Sequence, residues 1–208
     1  MTGKSRIPCG PVPQPASGGV PATPSSPADK STLRATLKAQ RRSQDASLKE
    51  EWDRRIGAHL LRWCHAHRPA ALGVYWPLSG EPDLHPAYCE LADAGVRLAL
   101  PVVLARDTAL AFTAWTPGEA MVKDTMGVAV PAELRLVERP PVLLVPCLGF
   151  NALHFRLGYG GGYYDRTLAA APRPLALGIA YANQEVLFDA DIHDIPLNGI
   201  ITEHGSPD

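Results

Sequence analysis

No stretch of eighteen apolar residues occurs in this chain of 208, so no membrane-spanning helix is expected. The formal net charge is −1, which provides no global basic field for nucleic acid. Cysteine is sparse: Cys9, Cys64, Cys89 and Cys147 are scattered, and none forms a C-x-x-C pair. Neither a zinc cluster nor a thioredoxin-like motif is suggested; reduced thiols of a cytoplasmic protein are expected, with Cys147 in the core. No secretory leader is visible, because Pro8, Gly10, Pro11 and Pro13 follow Lys4 and Arg6 where an apolar core would stand. There is no G-x-S-x-G nucleophile elbow and no internal repeat. Large apolar side chains are almost missing from residues 1–28, which are rich in Pro, Gly, Ser and Ala. Such a segment cannot bury enough surface to offset its ordering entropy, so a disordered tail over 1–28 and a single folded domain over 29–208 are expected.

From Asp29 onward the pattern is periodic. Leu33 and Leu37 share one face of a basic helix that also carries Lys30, Arg34, Lys38, Arg41 and Arg42. A second helix is expected behind a capping box, Ser47-Leu48-Lys49-Glu50. Its core stripe is Leu48, Trp52, Ile56 and Leu60, extended by Trp63 and Cys64. His59, His65 and His67 read as a solvated helix end. Strand-like runs then alternate with helical ones. Strands are expected at 71–75, at 97–100 with a stop at Pro101, at 110–115, at 142–145, at 175–180 and at 199–202. Helices are expected at 85–94 and 164–171. The wholly apolar Val142-Leu143-Leu144-Val145 suits a central parallel strand. Alternation of this kind implies an α/β fold with a mostly parallel sheet, whose ligands bind beyond the carboxyl ends of the strands. No apolar stripe is left over for an interface, so a monomer is expected.

The most informative run is Arg156-Leu157-Gly158-Tyr159-Gly160-Gly161-Gly162-Tyr163-Tyr164-Asp165-Arg166. Glycine admits positive φ and lets backbone N–H groups approach a ligand closely. Arginine offers a planar fork to phosphate oxygens, and the carboxylate can take the metal that accompanies a polyphosphate. The run is neither a P-loop, since no Gly-Lys pair follows, nor a dinucleotide fingerprint, since Tyr163 stands where the third glycine should be.

These residues, with Pro146-Cys-Leu-Gly-Phe150 before them and Leu177-Gly-Ile-Ala-Tyr181 after, resemble the 5-formyltetrahydrofolate cyclo-ligase (5,10-methenyltetrahydrofolate synthetase) family. Lys30-Ser-Thr-Leu-Arg34, Tyr75-Trp-Pro-Leu-Ser-Gly-Glu81 and His193-Asp194-Ile-Pro-Leu resemble its outlying elements, so the likeness spans roughly 29–203. The resemblance implies a three-layer α/β/α sandwich related to sugar-phosphate isomerase and CoA transferase folds. It implies an enzyme of one-carbon metabolism that converts 5-formyltetrahydrofolate, ATP and Mg²⁺ to 5,10-methenyltetrahydrofolate, ADP and phosphate. By the same resemblance, ATP is held by Lys30, Arg34, Arg156, Leu157, Gly158, Tyr159, Gly160, Gly161, Gly162, Tyr163 and Tyr164. Folate falls to Trp76, Glu81 and the 159–163 segment, the metal to Asp165 and Asp194, and the chemical step to Arg156, Tyr164 and Asp165. Two other readings stand beside it: a non-catalytic folate- or nucleotide-binding regulator, and an enzyme of similar fold acting on a sugar phosphate.

Three departures from the family's pattern are visible. Asn151-Ala-Leu-His154 replaces an Asp-x-x-Gly turn, so an altered loop geometry is expected there, since a turn of positive φ favours glycine. Asn198 replaces an aspartate, and Gly127-Val-Ala-Val-Pro131 lacks a glutamate.

Overall fold

The computed structural model describes Met1, residues 29–78 and residues 80–207. Apart from Met1, the expected tail over 1–28 lies outside them. The helices are α1 (Lys30–Ser43), α2 (Ala46–His67), α3 (His85–Asp93) and α4 (Tyr163–Ala169). The strands are β1 (Ala71–Gly73), β2 (Arg97–Val102), β3 (Ala111–Trp115), β4 (Met121–Lys123), β5 (Ala129–Pro131), β6 (Leu136–Val137), β7 (Val142–Pro146), β8 (Gly149–Phe150), β9 (Arg156–Leu157), β10 (Leu175–Ile179) and β11 (Gly199–Ile201).

Seven strands form one sheet in the order β11-β10-β7-β1-β2-β3-β6. From β11 to β2 every pairing is parallel, while β3 and β6 add an antiparallel margin. The apolar run of β7 lies between β10 and β1, as a strand buried on both faces must. Its side chains alternate between two cores. Leu144 packs in a core with Ile56 and Leu60 of α2 and Tyr88 of α3. Leu143 and Val145 pack on the other face with Leu168 of α4. Helices therefore cover both faces of the sheet, which is the layered α/β/α arrangement. A third cluster joins Leu37 of α1 to Leu148, Leu157 and Phe188 and seats α1 against the segment that leads into the glycine run.

Local chemistry corrects some of the expected boundaries. The cap of α2 is Asp45, whose carboxylate accepts from the N–H groups of Ser47 and Leu48, each at 3.0 Å. A charged acceptor at the positive helix end displaces the Ser47 box. Leu48 consequently falls in the first turn and is exposed, whereas Ile56 and Leu60 are fully buried. The stop expected at Pro101 does not occur. β1 pairs with β2 only as far as Ala99, so the missing N–H of Pro101 faces no strand on that side. The glycine run does not follow β7 directly, because the two-stranded ribbon β8–β9 intervenes.

Candidate active site

A cavity of about 470 Å³ opens beyond the carboxyl ends of β1, β2 and β7, a volume within the range of small-molecule sites. Tyr75 and Trp76 follow β1 onto its wall, Leu100 and Pro101 come from β2, and Pro146 ends β7. Lys30 and Arg34 descend from α1, and the β4–β5 hairpin contributes Met126 and Val128. Every residue expected at the site lines this one cavity: Lys30, Arg34, Trp76, Glu81, the whole of Arg156 to Asp165, and Asp194.

The ribbon aims the glycine run. The Asn151 side chain accepts from the N–H groups of Leu153 (3.1 Å) and Phe155 (3.0 Å) and donates to the Phe188 carbonyl (3.1 Å). His154 takes the left-handed position that the turn needs, at φ 61°. The turn thus closes without glycine. A non-glycine residue in that region carries about 1 kcal/mol of strain. His154→Gly should therefore raise stability by roughly 0.5–1 kcal/mol in chemical denaturation, with turnover unchanged.

Within the run the glycines have separate reasons. A Cβ on Gly158 would lie 2.3 Å from a terminal nitrogen of the Arg156 guanidinium, so glycine is what lets that guanidinium fold across the backbone. Gly162 caps α4 at φ 65°, where L side chains are strained. The carbonyls of the run are anchored, Gly158 by Arg34 Nε at 2.8 Å and Gly161 by an Arg166 nitrogen at 2.6 Å. Arg166 thus braces the loop and does not pair with a carboxylate of its own helix. Among the described residues no acceptor takes the N–H groups of Gly158 to Gly162.

The site's cations and carboxylates are paired with one another. Arg156 meets Asp165 at 2.6 Å, and its guanidinium carbon lies 5.3 Å from the Tyr164 ring centroid. Lys30 Nζ lies 2.7 Å from Asp194 and 2.7 Å from Asp191. Burial pulls the Lys30 pKa down, but the two carboxylates more than reverse this and leave it raised. Asp191 was not anticipated; its only signal in the sequence is its place three residues before Asp194.

Glu81 is not a surface carboxylate: its residue is 2% exposed. It accepts from Tyr159 Oη at 2.7 Å and from the Leu78 N–H at 2.8 Å. Burial raises its pKa against the opposing pull of the Leu78 N–H, the Tyr159 hydroxyl and Arg41. Trp76 is held edge-on by His85 (centroids 4.3 Å apart) and by Trp115 (6.0 Å). Burial raises the pKa of the Tyr164 hydroxyl, which keeps it protonated as a donor near neutrality.

Asp165 and Asp194 offer hard oxygen donors on the cavity wall, the chemistry suited to Mg²⁺. Among the described residues no three acidic, histidine or cysteine groups gather into a cage. That donor set fits a cation whose remaining positions go to phosphate oxygens and water.

The model of the 5-formyltetrahydrofolate cyclo-ligase family matches residues 26–203. The chain belongs to this family. It is 32% identical over 198 residues to the 5-formyltetrahydrofolate cyclo-ligase of Mycolicibacterium smegmatis, covering 85% of this chain and 95% of that protein. Identity to the Escherichia coli K12 enzyme is 25% over 174 residues, covering 80% and 96%. The solved 5,10-methenyltetrahydrofolate synthetase of Mycoplasma pneumoniae superposes with a TM-score of 0.72 at 26% identity, over 85% of this chain and 99% of that one. The Aquifex aeolicus synthetase gives 0.73 at 26% identity, over 85% and 91%. Family membership makes this chain an ATP-dependent ligase. The other two departures from the cyclo-ligase pattern also have local accounts. Asn198 Oδ1 accepts from the Ala176 N–H at 2.8 Å, a task that an amide oxygen performs as well as a carboxylate. Gly127 to Pro131 form the turn and second strand of the hairpin, and Asp124 Oδ1 pins that turn through the N–H groups of Met126 and Val128, each at 2.9 Å.

Proposed function

We propose that this crevice holds MgATP and 5-formyltetrahydrofolate side by side and closes the folate's five-membered ring in two steps. First the formyl oxygen on N5 attacks the γ-phosphate, so a poor leaving group becomes a phosphate ester and ADP is formed. Then N10 attacks the formyl carbon: the N10–C bond forms, the C–O bond breaks, N10 gives up its proton and inorganic phosphate departs with the bonding pair. Both nucleophiles belong to the substrates, so no activated serine or cysteine is required. The protein supplies position and charge.

Arg156, Lys30, Arg34 and the N–H groups of the glycine run take the triphosphate, the arginines through their planar forks. Asp165 and Asp194 would hold Mg²⁺, which when bound neutralises charge on the phosphate oxygens. Glu81 accepts from the amino and ring N–H edge of the pterin, and Trp76 offers a flat apolar face to the same ring. Tyr163 and Tyr164 stand at the junction, where a protonated hydroxyl can donate to the formyl or phosphate oxygens. The observation that carries this reading is that anchored glycine backbone, paired guanidinium and carboxylate, and a buried acceptor carboxylate all share one cavity. No helix among the described residues is long and apolar enough to cross a membrane. The reading places the enzyme in the cytoplasm, acting as a monomer.

Purified protein given 5-formyltetrahydrofolate and MgATP should raise the absorbance of the methenyl product, with no rise when ATP is omitted. A folded protein that leaves the absorbance flat rejects the reading, and folate binding without ADP release would mark a regulator instead.

A further inference from the structure

Arg41 continues the α1 stripe of Lys30, Arg34 and Leu37, but its side chain is 3% exposed. Its Nη1 donates to Tyr159 Oη at 2.8 Å and lies 3.8 Å from Glu81 Oε1. Its Nη2 donates to Gln184 Oε1 at 2.9 Å and to the Cys147 carbonyl. Tyr159 belongs to the glycine run, Glu81 to the segment after β1, and Cys147 directly follows β7. One guanidinium therefore ties the glycine run and the segment after β1 to the end of the central strand. The chain passes close over it: a Cβ on Gly80, which sits at φ 80°, would lie 3.0 Å from Arg41 Cβ. A buried cation is retained only with partners, and two of the four partners here, Tyr159 and Glu81, line the cavity.

We propose that Arg41 is a positioning residue for the folate, fixing the Glu81 carboxylate as an anionic acceptor and tying it through Tyr159 to the loop that takes the triphosphate. The proposal rests on the reading of Glu81 as the pterin's partner. The groups that bear on Glu81 are Arg41 of α1, Tyr159 of the glycine run, Tyr164 of α4, Tyr75 after β1, Tyr88 of α3 and Cys147 after β7. Arg41 alone among them is cationic. Burial already raises the Glu81 pKa and Arg41 opposes that rise, so removing the cation raises it further. A protonated Glu81 loses acceptor capacity toward the pterin, so folate capture must then fail at a higher pH.

Arg41→Gln should raise KM for 5-formyltetrahydrofolate on the order of tenfold or more. It should leave KM for ATP within about twofold. It should also move the acid limb of kcat/KM for folate upward by about one pH unit. Arg41→Lys keeps the charge but loses the fork, so the limb should stay at its parental pH while KM for folate still rises severalfold. Tyr159→Phe removes one donor to Glu81 while keeping the Arg41 cation, and its limb should also move upward. A mere packing role would lower the melting temperature and scale kcat while the limb stayed in place. Superimposable pH profiles for Arg41→Gln and the parent overturn the proposal. If Arg41→Gln does not fold, a parental KM in Arg41→Lys or an unmoved limb in Tyr159→Phe overturns it. Parental turnover is measured alongside: an inactive parent refutes the cyclo-ligase reading, whereas an active parent with an unmoved limb refutes only the role of Arg41.

Discussion

Asp165→Asn should lower kcat on the order of a hundredfold or more, with the fold retained. The change is isosteric, and the side chain sits in the first turn of α4 with 18% exposure, so packing is little disturbed. What disappears is charge. Asparagine makes a far weaker ligand for a hard divalent cation, and it leaves the Arg156 guanidinium without its partner at 2.6 Å. The Mg²⁺ concentration for half-maximal rate should therefore rise, and raising Mg²⁺ should restore part of the lost turnover. Steady-state rates across a Mg²⁺ series, with melting curves as the control for folding, decide the matter. Near-parental turnover at all Mg²⁺ concentrations would remove Asp165 from the proposed metal site.

Arg156→Ala is expected to cost on the order of a hundredfold or more in kcat/KM for ATP. The side chain is 7% exposed and lies over Gly158 and against Tyr164, so its plane is already set before a phosphate takes the place of Asp165. Arg156→Lys should not rescue it, because an ammonium cannot span two oxygens in a plane. Since Arg156 and Asp165 act as a pair, the double variant Arg156→Ala/Asp165→Asn should lose little more than the worse single one. Losses that multiply would mean that the two residues serve separate steps.

The strongest signals in the sequence were those carried by many neighbours at once. The apolar run at Val142 to Val145 could only be an interior strand, and the glycine run supplies the longest consecutive stretch of the cavity wall. Strands of two residues, such as β6, β8 and β9, offer no period to detect. Pro101 was misjudged because the local rule against proline depends on which side of the strand has a neighbour, and topology decides that. The depth of Glu81 is not legible in its local sequence, since it depends on Tyr159 and Arg41, both far away in the chain. Arg41 is, by its local sequence, one more base in a basic helix. Only its spacing from Lys30 and Arg34 hinted that the same face turns inward.

At rest, two of the crevice's cations are already committed. Lys30 holds Asp191 and Asp194, and Arg156 holds Asp165. Stray inorganic phosphate must pull a base away from its acid and leave that acid stranded; a bare divalent ion must do the reverse. On the proposed reading, a nucleotide arriving with its ion lets Lys30, Arg156, Asp165 and Asp194 change partners together, and only Asp191, 74% exposed, is handed to water. On the proposed reading the lock is shaped by charge exchange: either half of the key alone meets resistance, and the two halves together turn it.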